Sequence, residues 1–304
     1  MSESKFSQRF VMPVITNIDT LTQPAWVHRW TRDASLRREC VEGDATLKAW
    51  SNDRYGLVRA KIDYARQLSP SDFETSVAAV YQRIHDALRE YVPACPVRFW
   101  NWLPGLNEIV DTGRDRYMVF NKGRHRAMAE RHSSVGLANA LTAASTVGHD
   151  GDAFIVDALT SSHAGAPVEN PRQRPSYHYS KRYGPLPPCF SRATLLNGDH
   201  RRRALLISGT ASIVDEQTVH AGDLSGQFDE TCANLSSLTS AAALSWADIC
   251  DLRVYYPRER DRKRLDRMIA GRFAPRTRLE LIRATLCRPD LLVEIEGLAC
   301  DDTS

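Results

Sequence analysis

One order of elements occurs twice in this chain, and it narrows the available folds more than any single motif does. From residue 71 to 160, and again from 223 to 299, the pattern runs helix, strand, helix, strand, strand, with an offset of about 140–150 residues. The first helix opens on a capping box of Ser71 and Glu74. It carries one apolar stripe (Phe73, Val77, Val80, Tyr81, Ile84, Leu88, Tyr91) and stops at Pro93 and Pro96. Val97–Leu103 follows as an aromatic-rich buried strand. Arg114 to His132 reads as a second helix with Tyr117, Phe120, Met128 and Ala129 inward and Asn121–Arg124 interrupting the stripe. Strands near Ala138–Thr146 and Ala153–Leu159 close the first copy.

In the second copy Asp223 caps a helix striped by Leu224, Phe228, Cys232, Leu235 and Leu238. Asp251–Tyr256 is a strand, and Pro257 opens a helix through Leu265, Met268, Ile269 and Phe273. Arg278–Leu286 and Leu291–Gly297 are the last two strands. Ahead of the repeat, Gly56–Asp63 alternates as a strand does, and Trp26, Trp30 and Trp50 fit a peripheral layer. The expected class is α+β, two duplicated units of mixed sheet packed against helices, at 1–165 and 166–304. Ser161–Pro171, rich in small residues and proline, is the expected linker.

Composition excludes several function classes. With 42% hydrophobic and 25% charged residues in 304, the chain is an ordinary globular protein able to build two modest cores. Its net charge of +3 is small and its basic residues are not in one block, so nucleic acid is not an expected partner. Arg201–Arg203, the densest run, reads as the solvated part of a hairpin. No apolar stretch approaches spanning length and the polar first residues lack a signal-peptide core, so no membrane partner is expected. Seven cysteines without a CxxC pair point to thiols in the reducing cytoplasm. The scattered histidines offer neither HExxH nor ligand spacing, so neither a metal nor another cofactor is expected.

Residues 170 to 214 hold the densest chemistry. Tyr177, Tyr179 and Tyr183 alternate with Arg172, Arg174, Lys181, Arg182 and Arg192, and five prolines between 171 and 188 keep the segment out of a helix. Two apolar runs, Ala193–Leu196 and Ala204–Ile207, then flank Asn197-Gly198-Asp199 as a hairpin. A stiff loop of guanidiniums and phenols beside a sheet suits a small anion with a flat apolar body. It also suits a solvated basic crossover, and composition leaves both open.

Several motifs in this region resemble the central signature of the chorismatases: Tyr177-His-Tyr179, Arg182-Tyr183-Gly184-Pro185, Phe190-Ser-Arg192-Ala193 and Ser208-Gly209-Thr210-Ala211-Ser212. Motifs recur in order from about Arg98 to Gly297. The resemblance implies a fold of two RidA (YjgF)-like halves and an enzyme that releases pyruvate from chorismate, leaving a hydroxybenzoate or a cyclohexadiene diol. Two other readings remain: a non-catalytic RidA-like module binding a small carboxylate, and a RidA-type imine deaminase. RidA sites form between the subunits of a trimer, whereas this chain supplies two halves itself, which favours a monomer.

Such chemistry needs an acid for the enol ether's methylene, cations for two carboxylates, and apolar walls. In Leu291-Leu-Val-Glu-Ile-Glu, strand alternation puts Glu294 and Glu296 on one face and Val293 and Ile295 on the other. A carboxyl in an apolar site beside a dianion has its charged form disfavoured, although surface charge on an edge strand fits the spacing equally well. The resemblance selects Glu294 as the catalytic acid. It also suggests Arg192 as a carboxylate clamp with Tyr179 donating beside it, Tyr183 in the same loop, and Arg124 through an NxGR motif. Gly209 and Ala211 are small enough for close approach of a ligand, or simply for tight packing. Cys287, seven residues before Glu294 across the turn at Arg288–Asp290, looks like the hydroxybenzoate-forming members. Ala211 leaves the product open.

Overall fold

The computed structural model describes residues 23–132, 134–197 and 203–301. Two six-stranded sheets lie face to face, each with helices on its outer side. The first sheet is fed by α1 (Ala25–Trp30), β1 (Ser35–Glu42), β2 (Ala45–Ser51), β3 (Tyr55–Ile62), α2 (Pro70–Glu90) and β4 (Cys95–Pro104). A small hairpin of β5 (Ile109–Asp111) and β6 (Arg114–Asp115) leads into α3 (Arg116–Ala129), α4 (Ser134–Ala140), β7 (Ala143–His149) and β8 (Phe154–Ser161). The second sheet begins with β9 (Ala166–Val168), β10 (Ala193–Asn197) and β11 (Arg203–Ala211). After the short pair β12 (Ile213–Val214) and β13 (Gln217–Thr218) come α5 (Leu224–Ala241), β14 (Ile249–Tyr256), α6 (Arg262–Arg272), β15 (Arg278–Arg283) and β16 (Glu294–Cys300).

The repeat legible in the sequence is a repeat of topology. The first sheet is ordered β1-β2-β3-β8-β4-β7 and the second β9-β10-β11-β16-β14-β15, so each strand has a counterpart in the same place. In both sheets the strand after the first long helix pairs parallel on one side (β4 with β7, β14 with β15) and antiparallel on the other (β4 with β8, β14 with β16). Sheets buried on both faces require near-continuous apolar strands. That accounts for VRFWNWL in β4: Phe99 and Leu103 pack under α2 and α3, while Trp100 and Trp102 enter the space between the sheets. There they meet Tyr255, Leu206 and Leu298 of the second sheet, and Trp26 packs against Trp100 with rings tilted 52° and centroids 5.8 Å apart.

Several local expectations shift. The cap of α2 is Ser69, whose hydroxyl accepts from the Asp72 amide at 3.2 Å, because Pro70 takes the first helical position. Ser71 therefore lies inside the helix. In α3 the inward alanine is Ala127, and Ala129 is exposed. Residues 138–140 belong to α4, and the following strand begins at Ala143. A turn of 3-10 helix at Glu259–Asp261 separates Pro257 from α6. The final strand starts at Glu294 rather than Leu291. The stretch 161–171 contributes an edge strand, β9, as well as connecting the sheets. The 197–199 turn of the β10–β11 hairpin lies largely outside the described residues; the antiparallel pairing on either side is in place.

Gly123 explains the break in the α3 stripe. A Cβ there would sit 2.5 Å from the Glu74 carbonyl oxygen, so glycine lets α3 press directly on α2. Lys122 pairs with Glu74 at 2.7 Å across the same crossing. Among the described residues no helix is long and apolar enough to cross a membrane.

Candidate active site

The Pro-rich loop is ordered by its own hydroxyls and by the β12–β13 turn. Ser176 Oγ donates to the Phe190 carbonyl at 2.6 Å and accepts from the Phe190 amide at 3.2 Å. Arg174 makes a two-pronged pair with Asp215 at 3.0 and 2.9 Å, and the Ser180 amide donates to Glu216 at 2.9 Å. Single 3-10 turns at Ser176–His178 and Lys181–Tyr183 are all the helix the prolines permit.

This loop roofs a cavity of about 450 Å³. Its floor is the second sheet, at Gly209, Ala211 and Glu294. One side is the Cys287–Asp290 turn, and the other is Asp115, Tyr117 and Met118 at the start of α3. Along one wall, rings and cations alternate: Phe190, Arg192, Tyr179, Arg288, Tyr183, Arg182. The guanidinium-to-ring distances run 5.3, 5.5, 5.5, 4.0 and 5.7 Å in that order. Arg192 Nη2 donates to the Tyr179 hydroxyl and to the Arg174 carbonyl, each at 2.8 Å. Arg288 Nη1 donates to the Glu216 carbonyl at 2.9 Å and to Thr218 Oγ1 at 3.2 Å, and Arg182 donates to the Gln217 side chain at 2.9 Å. Among the described residues none of these three arginines forms a salt bridge. Rings and neutral acceptors orient the guanidiniums; the carboxyl acting on Arg192, Glu169, is pushed up to about 7 by burial against the pull of Arg192, which leaves most of the wall's charge to a ligand.

Opposite them lies one buried carboxyl. Glu294 is 4% exposed, and among the described residues no group donates a hydrogen bond to it. Burial, then the negative charge of Glu296, push its pKa up to about 8, against a smaller opposing pull from Arg98. The two glutamates share a face as strand alternation requires, but their surroundings differ. Glu296 accepts from Arg98 at 2.7 Å, from the Trp100 indole at 2.9 Å and from Ser145, all on the first sheet. Two carboxyls two residues apart are thus separated into a hydrogen-bonded ion and an undonated acid, the arrangement that sorts acid from anion in many active sites.

Gly209 has a defined part in this. A Cβ built on it would meet Glu294 Oε1 at 2.0 Å, so the acid lies directly over the glycine backbone. The β11–β16 register slips between Ile207 and Thr210, beside this contact. Burial, followed by the Glu294 charge, pushes the Cys287 thiol up to about 12, which keeps it neutral near pH 7.

The structure thus brings Glu294, Cys287, Arg192, Tyr179, Tyr183, Gly209 and Ala211 to one cavity. Arg124 is not in its wall. It is 1% exposed in the α2–α3 layer, with its guanidinium 5.3 Å from the Tyr81 ring and 5.8 Å from the Phe99 ring. It lies about two turns further along α3 than the cavity-lining Tyr117 and Met118, deeper in the layer. Arg288 and Tyr117 are among the wall residues that no motif marks. Arg288 was a turn residue in an RPD triplet, and nothing local distinguishes it. Tyr117 was counted in the apolar stripe of α3, where its position at the first turn was the available signal. Burial raises its phenol well above the usual value of 10.

An undonated buried acid facing a wall of arginines without salt bridges, with an aromatic-lined space between, is an arrangement suited to a small anionic ring compound. Comparison with known proteins fits this class. The family model "Chorismatase FkbO/Hyg5-like, N-terminal" matches residues 29–160. A chorismatase of Streptomyces rapamycinicus is 30% identical over 90% of this chain and 85% of its own length. A 3-hydroxybenzoate synthase of Streptomyces hygroscopicus is 30% identical over 74% of this chain and 69% of its own. A chorismatase crystal structure superposes with a TM-score of 0.76 at 27% identity, covering 86% of this chain and 79% of that one. The chain belongs to the chorismatase family, and it is an enzyme.

Proposed function

We propose that this enzyme acts on chorismate, releasing pyruvate and a hydroxybenzoate, chiefly the 3-isomer, by general-acid protonation of the enolpyruvyl ether. The observation that carries this reading is the Glu294 carboxyl, protonated near neutral pH, buried, and set across the cavity from three unpaired arginines. Glu294 gives its proton to the terminal methylene carbon, which makes the ether carbon an oxocarbenium. Water adding there breaks the ether to pyruvate and a ring diol, a sum that takes up one water. Aromatisation to a hydroxybenzoate expels one water, so that product forms with no net uptake. Arg192 and Arg288 hold the two carboxylates, with Arg182 third in line and the Tyr179 hydroxyl free to donate beside Arg192. Cys287 faces the ring as a neutral thiol and steers its breakdown; the 3-hydroxybenzoate synthase among the relatives supports this product. Two units, 1–165 and 166–304, with most of the site in the second, belong to the same reading. Its support is that the first sheet ends at Ser161 and the second begins at Ala166.

The test is incubation of the purified protein with chorismate, with pyruvate followed by a coupled assay and the ring product identified by chromatography. Pyruvate and 3-hydroxybenzoate in equal amounts are expected. The dihydrodiol as main product would retain the acid and remove the part given to Cys287, while binding without pyruvate release would refute the reaction.

Arg192→Ala tests the clamp. Arg192 is 5% exposed, so a carboxylate bound there is desolvated, and losing its partner costs about 2–5 kcal/mol. The expected result is a KM raised by that amount with kcat changed far less. An unchanged KM would place the carboxylates elsewhere.

A further inference from the structure

Residues 258–278 contain nine Lys or Arg and three Asp or Glu, so this stretch alone exceeds the net charge of +3 carried by the whole chain. Interleaved acids hide the excess in the sequence, but helix geometry collects it. Arg260, Lys263, Arg264 and Arg267 are spaced i, i+3, i+4, i+7 across the 3-10 turn and α6, all exposed, opposite the buried Leu265 and Ile269. Their recorded contacts are with neutral groups: Arg264 donates to Ser225 Oγ and Arg267 to the Lys263 carbonyl. Among the described residues none of the four forms a salt bridge. Arg272 and Arg276 extend the face, exposed and held by the Trp246 ring and the Ala247 carbonyl. The helix at the same topological place in the first sheet, α3, is different. There Lys122 and Arg126 are neutralised by Glu74, Arg126 also by Glu130, and Arg116 by Glu108. Like charges at i, i+4 destabilise a helix, so fold stability alone does not account for an unpaired stripe on one of two equivalent helices.

We propose that the exposed face of α6 docks an acidic protein partner, a helix or loop presenting several carboxylates to Arg260, Lys263, Arg264 and Arg267. A stripe seven residues long spans about 10 Å, the scale of two turns of a partner helix. The face carries no exposed aromatic platform for stacking bases, and a net charge of +3 gives little of the wider field that draws in nucleic acid.

The test measures binding of the full-length enzyme to poly-L-glutamate at low and near-physiological salt, beside a DNA duplex and phosphatidylserine vesicles. Lys263→Glu/Arg267→Glu should weaken poly-L-glutamate binding at least tenfold with chorismate turnover unchanged. Arg32→Glu/Arg89→Glu, an equal charge reversal at exposed sites elsewhere, should weaken it less than threefold. Equal losses in the two double variants would reduce the face to net charge and overturn the proposal. Tighter binding of the duplex or the vesicles, reversed by the same α6 variant, would overturn it in favour of that partner. The α6 variant is expected to melt close to wild type, because both positions are exposed and the reversal exchanges some repulsions along the helix for others.

Discussion

Glu294→Gln should lower pyruvate release by about 10²–10⁴ while leaving chorismate binding and the fold intact. Glutamine keeps the shape over Gly209 but has no proton to give to carbon, and protonating an enol ether is the step that water performs poorly near neutral pH. In the proposed mode the substrate's carboxylates face the Arg192–Tyr179–Arg288 wall, so affinity is not expected to depend on Glu294. The pH profile gives an independent reading. The acid acts while protonated, so wild-type kcat/KM should hold below about 8 and fall as pH rises through it. The residual activity of the variant should lack that limb. Stability follows the same sign: a carboxyl raised from 4.5 to about 8 on folding contributes most below 4.5, and that contribution is lost by about pH 8. Wild type should therefore lose melting temperature relative to the glutamine variant across that window. A variant that turns over like wild type would move the chemistry to another residue.

The second large effect lies beneath the site. Arg98→Met leaves Glu296 buried at 2% exposure without its cation, 198 residues away in sequence and on the other sheet. Removing one partner of a buried pair costs about 3–5 kcal/mol, and the denaturation midpoint should fall accordingly. Arg98 also opposes the rise in the Glu294 pKa, so the alkaline limb of kcat/KM in surviving enzyme should move upward. Arg98→Met/Glu296→Leu should recover most of the lost stability, because it removes both ions together. If the single variant is as stable as wild type, water reaches the pair and it is not the buried bridge described above.

The fold was legible because its signals are local and periodic. Stripes such as Phe73–Tyr91 and Leu224–Leu238 fix helices, and the repeated element order fixes two units with the same strand order. Boundaries slipped where a neighbouring residue competed for a position, as Pro70 displaced the expected cap. The two faces of residues 293–296 were legible from alternation alone. Which of the two glutamates is the acid was not, since that depends on Arg98, Trp100 and Ser145 arriving from the first sheet. For the same reason Glu296, though it shares a face with Glu294, is part of the framework. Arg288 and Tyr117 were invisible because a turn arginine and a stripe tyrosine differ from functional ones only in what faces them. Arg124 differs in the opposite direction: its motif is present, and α3 carries it about two turns past the cavity into the layer beside Tyr81 and Phe99.

The alternating wall of the cavity has one more implication. Tyr179 supports Arg192 and Arg288 together, and Tyr183 supports Arg288 and Arg182. Each phenol is a shared bearing, so removing one loosens two guanidiniums, and removing Arg192 or Arg288 unseats two rings. Substitutions along this wall therefore do not combine independently; once one member has gone, its neighbours have less left to lose. For variation over time the six side chains form a single heritable block. A relative that gave up one member would have little reason to retain the next, and a new substrate is reached more readily by replacing the wall than by editing it.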